Sequence, residues 1–266
     1  MPARPKVGWQ ADFSEVTERS DEPATPGQIA DMYHRYRFAS ELCRGLRVLE
    51  VACGTGQGLA LLGGSAASVK GCDIDAGNVA MAQATHGDRV PVEVASAEHL
   101  PADDGSVDAI VLFEAIYYVP EVEPFLRECR RVLTPRGLLI VSTTNPDLFD
   151  FVPSVHSRRY YGARELTALF SSAGFQPEVF GYSPTTSLPL RHRALRPVKA
   201  VVRRLGLVPK SMLGKALVRR MLFGPLPRMP RDLSGLDLPY EPPQPLRSGA
   251  PSREFRYLYC VARLQE

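Results

Sequence analysis

No C-x-x-C pair occurs in the 266 residues, and the cysteine count is odd: Cys43, Cys53, Cys72, Cys129 and Cys260 stand singly. That spacing excludes zinc-finger ligand sets and a disulfide framework, and it points to a reducing cytoplasm and no bound metal. Long apolar runs are also missing. The longest, Ala109 to Val119, is interrupted by Glu114, short of the ~18 residues a membrane span needs. The opening Met1-Pro2-Ala3-Arg4-Pro5-Lys6 leads into Trp9, Asp12, Glu15 and Glu18, with no apolar signal core. Acidic residues are absent between Glu178 and Asp232, a stretch holding twelve lysines and arginines. The remainder is therefore acidic, although the formal net charge is +3.

What is present suits a packed α/β domain. Apolar residues make up 44% and charged residues 23%, enough to bury a core. Gln28 to Leu42 reads as a helix, with Ile29, Met32, Tyr36 and Ala39 on one face. Arg47 to Ala52 is a short strand running into Cys53-Gly54-Thr55-Gly56-Gln57-Gly58, and Leu59, Leu61 and Leu62 open a helix behind it. Strand and helix then alternate: Ser68–Asp73, Asn78–Ala84, Val90 to Val94, Ala109–Phe113, Val122–Leu133 and Leu138–Val141, with a turn at Thr134-Pro135-Arg136-Gly137. This order predicts a doubly wound, mostly parallel sheet. The continuous apolar run Ala109–Phe113 fits a strand buried on both faces.

Beyond Asn145 the pattern loosens. A loop-rich stretch to Tyr161 precedes a helix at Ala163–Ala173 and a strand at Gln176–Tyr182. Residues 191–223 read as two basic helices broken at Gly206 and Pro209, and eight prolines between Pro225 and Pro251 forbid regular structure there. Phe255–Leu264 is a last strand. The expected organisation is a helical cap (1–45), a binding core (46–183), a basic and Pro-rich insert (184–253) and a closing strand (254–266).

The glycine turn carries the chemistry. Glycines between a strand and a helix let a ligand lie against bare backbone, and the helix start offers free N–H groups. The spacing Gly54-x-Gly56-x-Gly58 is out of register with the dinucleotide fingerprint G-x-G-x-x-G. Glu50 at the end of the first strand would repel a pyrophosphate but not a cationic amino-acid ligand. Asp73, at the end of the second strand, is placed to accept ribose hydroxyls, with Asp75 as its substitute.

Val48-Leu49-Glu50-Val51-Ala52-Cys53-Gly54-Thr55-Gly56 resembles motif I of class I S-adenosylmethionine-dependent methyltransferases, of the ubiquinone/menaquinone type. Gly71-Cys72-Asp73-Ile74-Asp75, Ala95 to Pro101, Ser106 to Val111 and Arg130 to Leu139 resemble the later motifs, in order. The resemblance spans about residues 30–182. It implies a Rossmann-like, seven-stranded, mostly parallel sheet with an antiparallel last strand, S-adenosyl-L-methionine as cofactor, and a small-molecule acceptor. Gly54 and Gly56 would line the methionine portion, and Glu50 would position its ammonium. Asp73 would hold the ribose, with Ile74 beside it. Ser96, Ala97 and Glu98 would border the adenine, and Phe113 would sit near the sulfonium. Tyr36 would belong to an N-terminal helix closing over the cofactor. Two positions depart from the pattern. Ala52 replaces the first family glycine, and Ser96 replaces the usual aspartate beside adenine. Solvated loop roles are an equal alternative for Ser96 and Glu98.

Methyl transfer is a displacement on a sulfonium carbon that relies on alignment, with a base needed only for a hydroxyl or acidic carbon. Candidates follow the fourth and fifth strands: Glu114, Tyr117, Tyr118, His156 and His192. His156 is the expected base, with a solvated histidine as the bland alternative, while Tyr117 and Tyr118 would wall the acceptor site. Residues 191–223 suggest a lid helix, attraction to an anionic substrate, or contact with an anionic membrane surface. Against nucleic acid, Phe113-Glu114-Ala115-Ile116 lacks the Asn/Asp-Pro-Pro-aromatic motif of nucleobase methyltransferases. A non-catalytic cofactor-binding module and a nicotinamide oxidoreductase are the rival readings.

Overall fold

The computed structural model describes residues 17–154, 156–186, 226–247 and 251–265. The basic stretch 191–223, with His192, lies outside them. The chain builds α1 (Pro26–Leu42), β1 (Arg47–Val51), α2 (Leu59–Gly63), β2 (Ser68–Asp73), α3 (Ala76–His86), β3 (Val92–Val94), β4 (Val107–Phe113), α4 (Val122–Val132), β5 (Leu133–Thr144), α5 (Ala163–Ser172), β6 (Phe175–Pro184), β7 (Gln244–Pro245) and β8 (Phe255–Leu264). The sheet order is β3-β2-β1-β4-β5-β8-β6-β7. Strands β1 to β5 pair in parallel, and β8 runs antiparallel between β5 and β6.

The seven expected strands are present. The eighth, β7, is a two-residue pairing on β6 inside the Pro-rich segment, where no regular structure was expected. Pro245 pairs there with Phe180 at the sheet edge, where a missing N–H costs no ladder bond. The predicted turn at Thr134–Gly137 is instead a bulge within β5. Pairing with β4 jumps from Val107↔Leu133 to Ala109↔Leu138, and Arg136 takes φ 65.

Side-chain alternation divides the core into two layers. Leu49, Val51, Ile110, Leu112, Leu139 and Val141 pack with Phe125, Leu126, Cys129, Leu166 and Phe170 of α4 and α5. Val48, Ala109, Val111, Phe113 and Ile140 pack with Met32, Tyr36 and Ala39 of α1, Leu59 and Leu62 of α2, and Val79 and Ala82 of α3. Glu50 shares the parity of Val48, so it points to the α1 side.

The helix starts are built locally. Thr25 and Gln28 form a reciprocal capping box, with Pro26 in the first turn. Asp75 accepts from Gly77 N at 2.7 Å and Asn78 N at 3.1 Å. It is therefore the N-cap of α3. The five cysteines are all unpaired and buried. Among the described residues, no helix is long and apolar enough to cross a membrane.

His34, on α1, packs against the β6–β8 end of the sheet. Its ring stacks on Tyr182 with centroids 3.4 Å apart, Nδ1 meets Tyr259 Oη at 3.1 Å, and Nε2 donates to Glu241 O at 2.6 Å. Burial depresses its pKa to about 4. The unfolded chain then binds the proton more readily than the folded one. His34 therefore contributes stability above pH 6.5 that is lost as the pH falls from 6.5 toward 4. Urea unfolding at pH 7 and pH 4.5 should show about 2 kcal/mol more acid loss in the wild type than in His34→Gln. Equal losses in the two proteins would remove His34 from the acid response.

Candidate active site

A cavity of about 430 Å³ opens at the carboxyl ends of the parallel strands, the position where open α/β sheets bind ligands. Its volume lies within the range for small-molecule sites. Strand order separates its two sides. Toward β1, β2 and β3 lie Ala52, Gly54, Asp73, Ile74, Ser96, Ala97 and Glu98. Toward β4, β5 and β8 lie Glu114, Tyr117, Tyr118, Thr144, Ser154, Tyr160 and Tyr257. Phe113, Tyr36 and Arg35 also line it.

On the first side the backbone bends sharply. Ala52, Gly54 and Gly56 have φ of 55, 56 and 79. Gly54 N donates to Asp73 Oδ2 at 2.9 Å, and Asp75 N donates to Asp73 Oδ1 at 2.9 Å. These bonds lock the bend to the end of β2 and aim the carboxylate. Burial raises the Asp73 pKa, partly offset by these backbone donors. Ile74 is 36% exposed, an apolar surface beside a charged one. Ser96 Oγ accepts from Glu98 N at 3.2 Å, so the segment replacing the usual aspartate is a turn braced from within. Ala52 is a β-carbon residue in the left-handed region, a strain of about 1 kcal/mol. Ala52→Gly should raise stability by about that amount and Tm by about 2–4 °C. An unchanged or lowered Tm would show that the bend is not strained.

Two expected ligand residues do not reach the cavity wall. A Cβ on Gly56 would lie 2.9 Å from Ala82 Cβ and 3.2 Å from His86 Cδ2, so Gly56 is needed for packing against α3. Glu50 is 1% exposed. The Tyr36 hydroxyl donates to its Oε1 in a short bond, and its Oε2 has no partner among the described residues. Burial lifts its pKa to about 8. Tyr36 itself lines the cavity, edge-on to Phe113 with centroids 5.1 Å apart. Gly58 makes room for this ring: a Cβ there would fall 2.0 Å from Tyr36 Cε1.

The segment before α1 seals the glycine turn. Ser20 Oγ lies 2.8 Å from Thr55 Oγ1, Gln57 Nε2 donates to Glu18 O in a short bond, and Thr17 and Glu18 line the cavity. Glu18 also pairs with Arg35 at 2.8 Å.

On the second side, Glu114 follows β4 with φ 49. Its Oε1 accepts from Ser142 Oγ at 3.2 Å, and its Oε2 accepts from Thr144 Oγ1 at 2.9 Å and Tyr117 Oη at 3.2 Å. Burial raises its pKa, opposed by Arg35. Tyr117 and Tyr118 do line the cavity as expected. Burial holds the Tyr117 phenol well above its ordinary value and pushes Tyr118 up to about 12, so neither serves as a base at neutral pH. The Tyr118 hydroxyl donates to Ser154 Oγ at 2.6 Å, and Arg158 N donates to Tyr117 O at 2.6 Å. These bonds pin the loop after β5 to the turn after β4. His156, in that same loop, is exposed with φ 68 and is not part of the cavity lining. The structure does not bring the expected base to the site. Glu114, by contrast, lines the cavity on this side.

Residues 49–141 match the family described as "Methyltransferase domain". The chain is 36% identical over 165 residues to a protein of Mycolicibacterium smegmatis named a probable S-adenosylmethionine-dependent methyltransferase, covering 59% of this chain and 64% of that one. It is 36% identical over 132 residues to a phthiotriol/phenolphthiotriol dimycocerosates methyltransferase of Mycobacterium ulcerans, covering 48% of each. The aligned part of the chain thus spans between about half and two thirds of these relatives. The fold matches the crystal structure of a putative sarcosine dimethylglycine methyltransferase from Galdieria sulphuraria, with TM-score 0.58 and 16% identity over 93% of this chain and 94% of that one. Residues 49–141 are thus similar to a methyltransferase domain.

Proposed function

We propose that the whole chain is an S-adenosylmethionine-dependent methyltransferase of a reducing, cytoplasmic compartment, acting on a small molecule. The acceptor's anionic, sugar-linked or lipid-linked portion would lie with the basic stretch 191–223, and its reacting end would lie in the cavity. The observation that carries this reading is the locked bend. Two positive-φ residues, Ala52 and Gly54, border the cavity beside Asp73, whose carboxylate is fixed by backbone N–H groups.

The residues fit the cofactor. At Gly54 an added Cβ would meet nothing nearer than Thr17 Cγ2 at 3.3 Å, so bare backbone faces the space where the amino-acid portion would lie. Asp73 would hold the ribose hydroxyls. Ile74, Ser96, Ala97 and Glu98 would flank the base, and Phe113 and Tyr36 would enclose the sulfonium. Glu50 would act from beneath, by fixing Tyr36. When bound, the cofactor supplies an electrophilic methyl group. The chain's part is to hold the acceptor in line and exclude water, an effect worth about 7–11 kcal/mol in well-oriented reactions.

Incubation with methyl-labelled cofactor and fractionated cell metabolites tests the activity, and transfer of label into a small molecule is expected. A folded protein that binds S-adenosylhomocysteine but transfers no label to any fraction would favour a non-catalytic binding module. In thermal shift, S-adenosylhomocysteine at 100 times its Kd should stabilise by about 2.7 kcal/mol. Stabilisation by NAD instead would favour an oxidoreductase.

A further inference from the structure

We propose that residues 226–236 form a strap that positions the cofactor site. The strap holds the wall Thr17 to Ala24 down on the glycine bend, and it thereby sets how fast the cofactor and its product enter and leave. The inference rests on the cofactor reading above and adds a role for a segment near the other end of the chain.

The wall contains no helix or strand, so its place is decided by what it is tied to. Toward the cavity it is tied to the bend. Ser20 N donates to Thr55 Oγ1 at 3.1 Å, and Gln57 Nε2 donates to Glu18 O. The atom nearest to a Cβ added on Gly54 would be Thr17 Cγ2, at 3.3 Å, and Thr17, Glu18 and Gly54 all line the cavity. The wall therefore faces bare backbone across the space assigned to the amino-acid portion of the cofactor. A ligand lying there is covered on that side by the wall.

On its outer side the wall is tied to the strap. Asp21 N donates to Met229 O at 2.9 Å, Ala24 N donates to Pro227 O at 2.9 Å, and Met229 N donates to Glu22 O at 2.8 Å. Pro23 and Arg228 pair as an antiparallel bridge, and Arg231 Nε donates to Asp21 Oδ2 at 2.7 Å. A pairing this short is not stable by itself, and the strap supplies its own anchors. Met229 and Leu233 are 2% and 0% exposed, sunk in the layer that holds Met32, Tyr36 and Leu59. Leu233 N donates to Gln57 O at 2.9 Å. Gln57 thus receives the strap on its carbonyl and gives its side chain to the wall. Bend, wall and strap close into one ring of contacts through this residue. Further along, Tyr240 Oη donates to Glu41 Oε2 at 3.0 Å and Gln244–Pro245 pairs with β6, which fixes the register of this stretch along α1. Loosening the strap frees the wall from outside, while the bend stays fixed by the bond from Gly54 N to Asp73.

The bonds around the Pro23–Arg228 bridge run between the flanking residues. In such non-hydrogen-bonded pairs the Cα atoms lie about 4.5 Å apart, within reach of a disulfide. Both positions are exposed, whereas the five native cysteines are buried. Pro23→Cys with Arg228→Cys therefore gives a wall that oxidation locks and reduction frees in one and the same protein. Release of labelled S-adenosylhomocysteine into an excess of unlabelled compound, and its uptake, are timed in both states. The oxidised protein should release and take up the ligand at least about tenfold more slowly than the reduced one. Leu233→Ala shortens an anchor and leaves every residue of the cavity lining in place, and it should release the ligand about tenfold faster than wild type. If Leu233→Ala does not fold, the disulfide comparison decides alone. A strap that only adds stability would raise Tm on oxidation and leave both rates unchanged. Equal rates in the oxidised and reduced protein, or a wild-type release rate in folded Leu233→Ala, would each overturn the proposal. Failure of the two new thiols to pair on oxidation would contradict the bridge on which it stands. Absence of S-adenosylhomocysteine binding in the wild type would instead overturn the cofactor reading beneath it.

Discussion

Gly58→Ala is expected to destabilise the protein by about 3 kcal/mol and to lower its Tm by about 6–12 °C. The added methyl would lie 2.0–2.2 Å from three atoms of the Tyr36 ring, far inside contact distance. That ring cannot step aside freely. It is 5% exposed, packs edge-on against Phe113 and donates its hydroxyl to Glu50. Pushing it out leaves the Glu50 carboxyl without its hydrogen-bond donor in an apolar layer, a cost of about 1–3 kcal/mol by itself. Because the two positions share one space, Gly58→Ala with Tyr36→Ala should cost less than the sum of the single changes. Urea denaturation of the four proteins measures this coupling. Strict additivity, or a Gly58→Ala loss below about 0.5 kcal/mol, would show that the ring does not depend on the bare backbone.

Asp73→Ala should weaken S-adenosylhomocysteine binding about 100-fold, or ~2.7 kcal/mol. Hydrogen bonds to a charged acceptor contribute roughly 1.5–3 kcal/mol each. Here the carboxylate has a second task. It accepts from Gly54 N and Asp75 N, so its removal frees the bend that exposes the backbone to the ligand. Asp73→Asn is not a mild substitute, because an amide NH2 would confront one of those N–H donors. Calorimetric titration of both variants, with circular dichroism to confirm folding, checks this. An affinity within threefold of wild type for Asp73→Ala would remove the residue from the cofactor site.

The alternating elements and the glycine bend were legible because their signals are local. Period-two and period-3.6 patterns and Gly-x-Gly after a β-branched run all lie within a few residues of one another. Long-range choices were less visible. Strand parity was available in the sequence, since Glu50 lies two residues from Val48. That parity alone sends its side chain toward α1 instead of the ligand. Gly56 and Gly58 carried the same letter as Gly54, but their neighbours come from α3 and α1. Only the packed fold places one glycine on the cavity wall and two where side chains need clearance. Asp75 was ambiguous because an acid opening a helix serves equally as a cap. A histidine in a loop after β5 reads as a general base by residue type, while Glu114 reads as a break in an apolar run. Its three hydroxyl donors arrive from β5 and the turn after β4, a convergence that no single stretch of sequence displays.

Calorimetry with S-adenosylmethionine and S-adenosylhomocysteine tests most directly whether the bend beside Asp73 receives a positively charged nucleoside. One site per chain for both compounds, competition between them, and no heat with NAD are the expected results. Well-folded wild-type protein that gives no heat with either sulfur compound would contradict it.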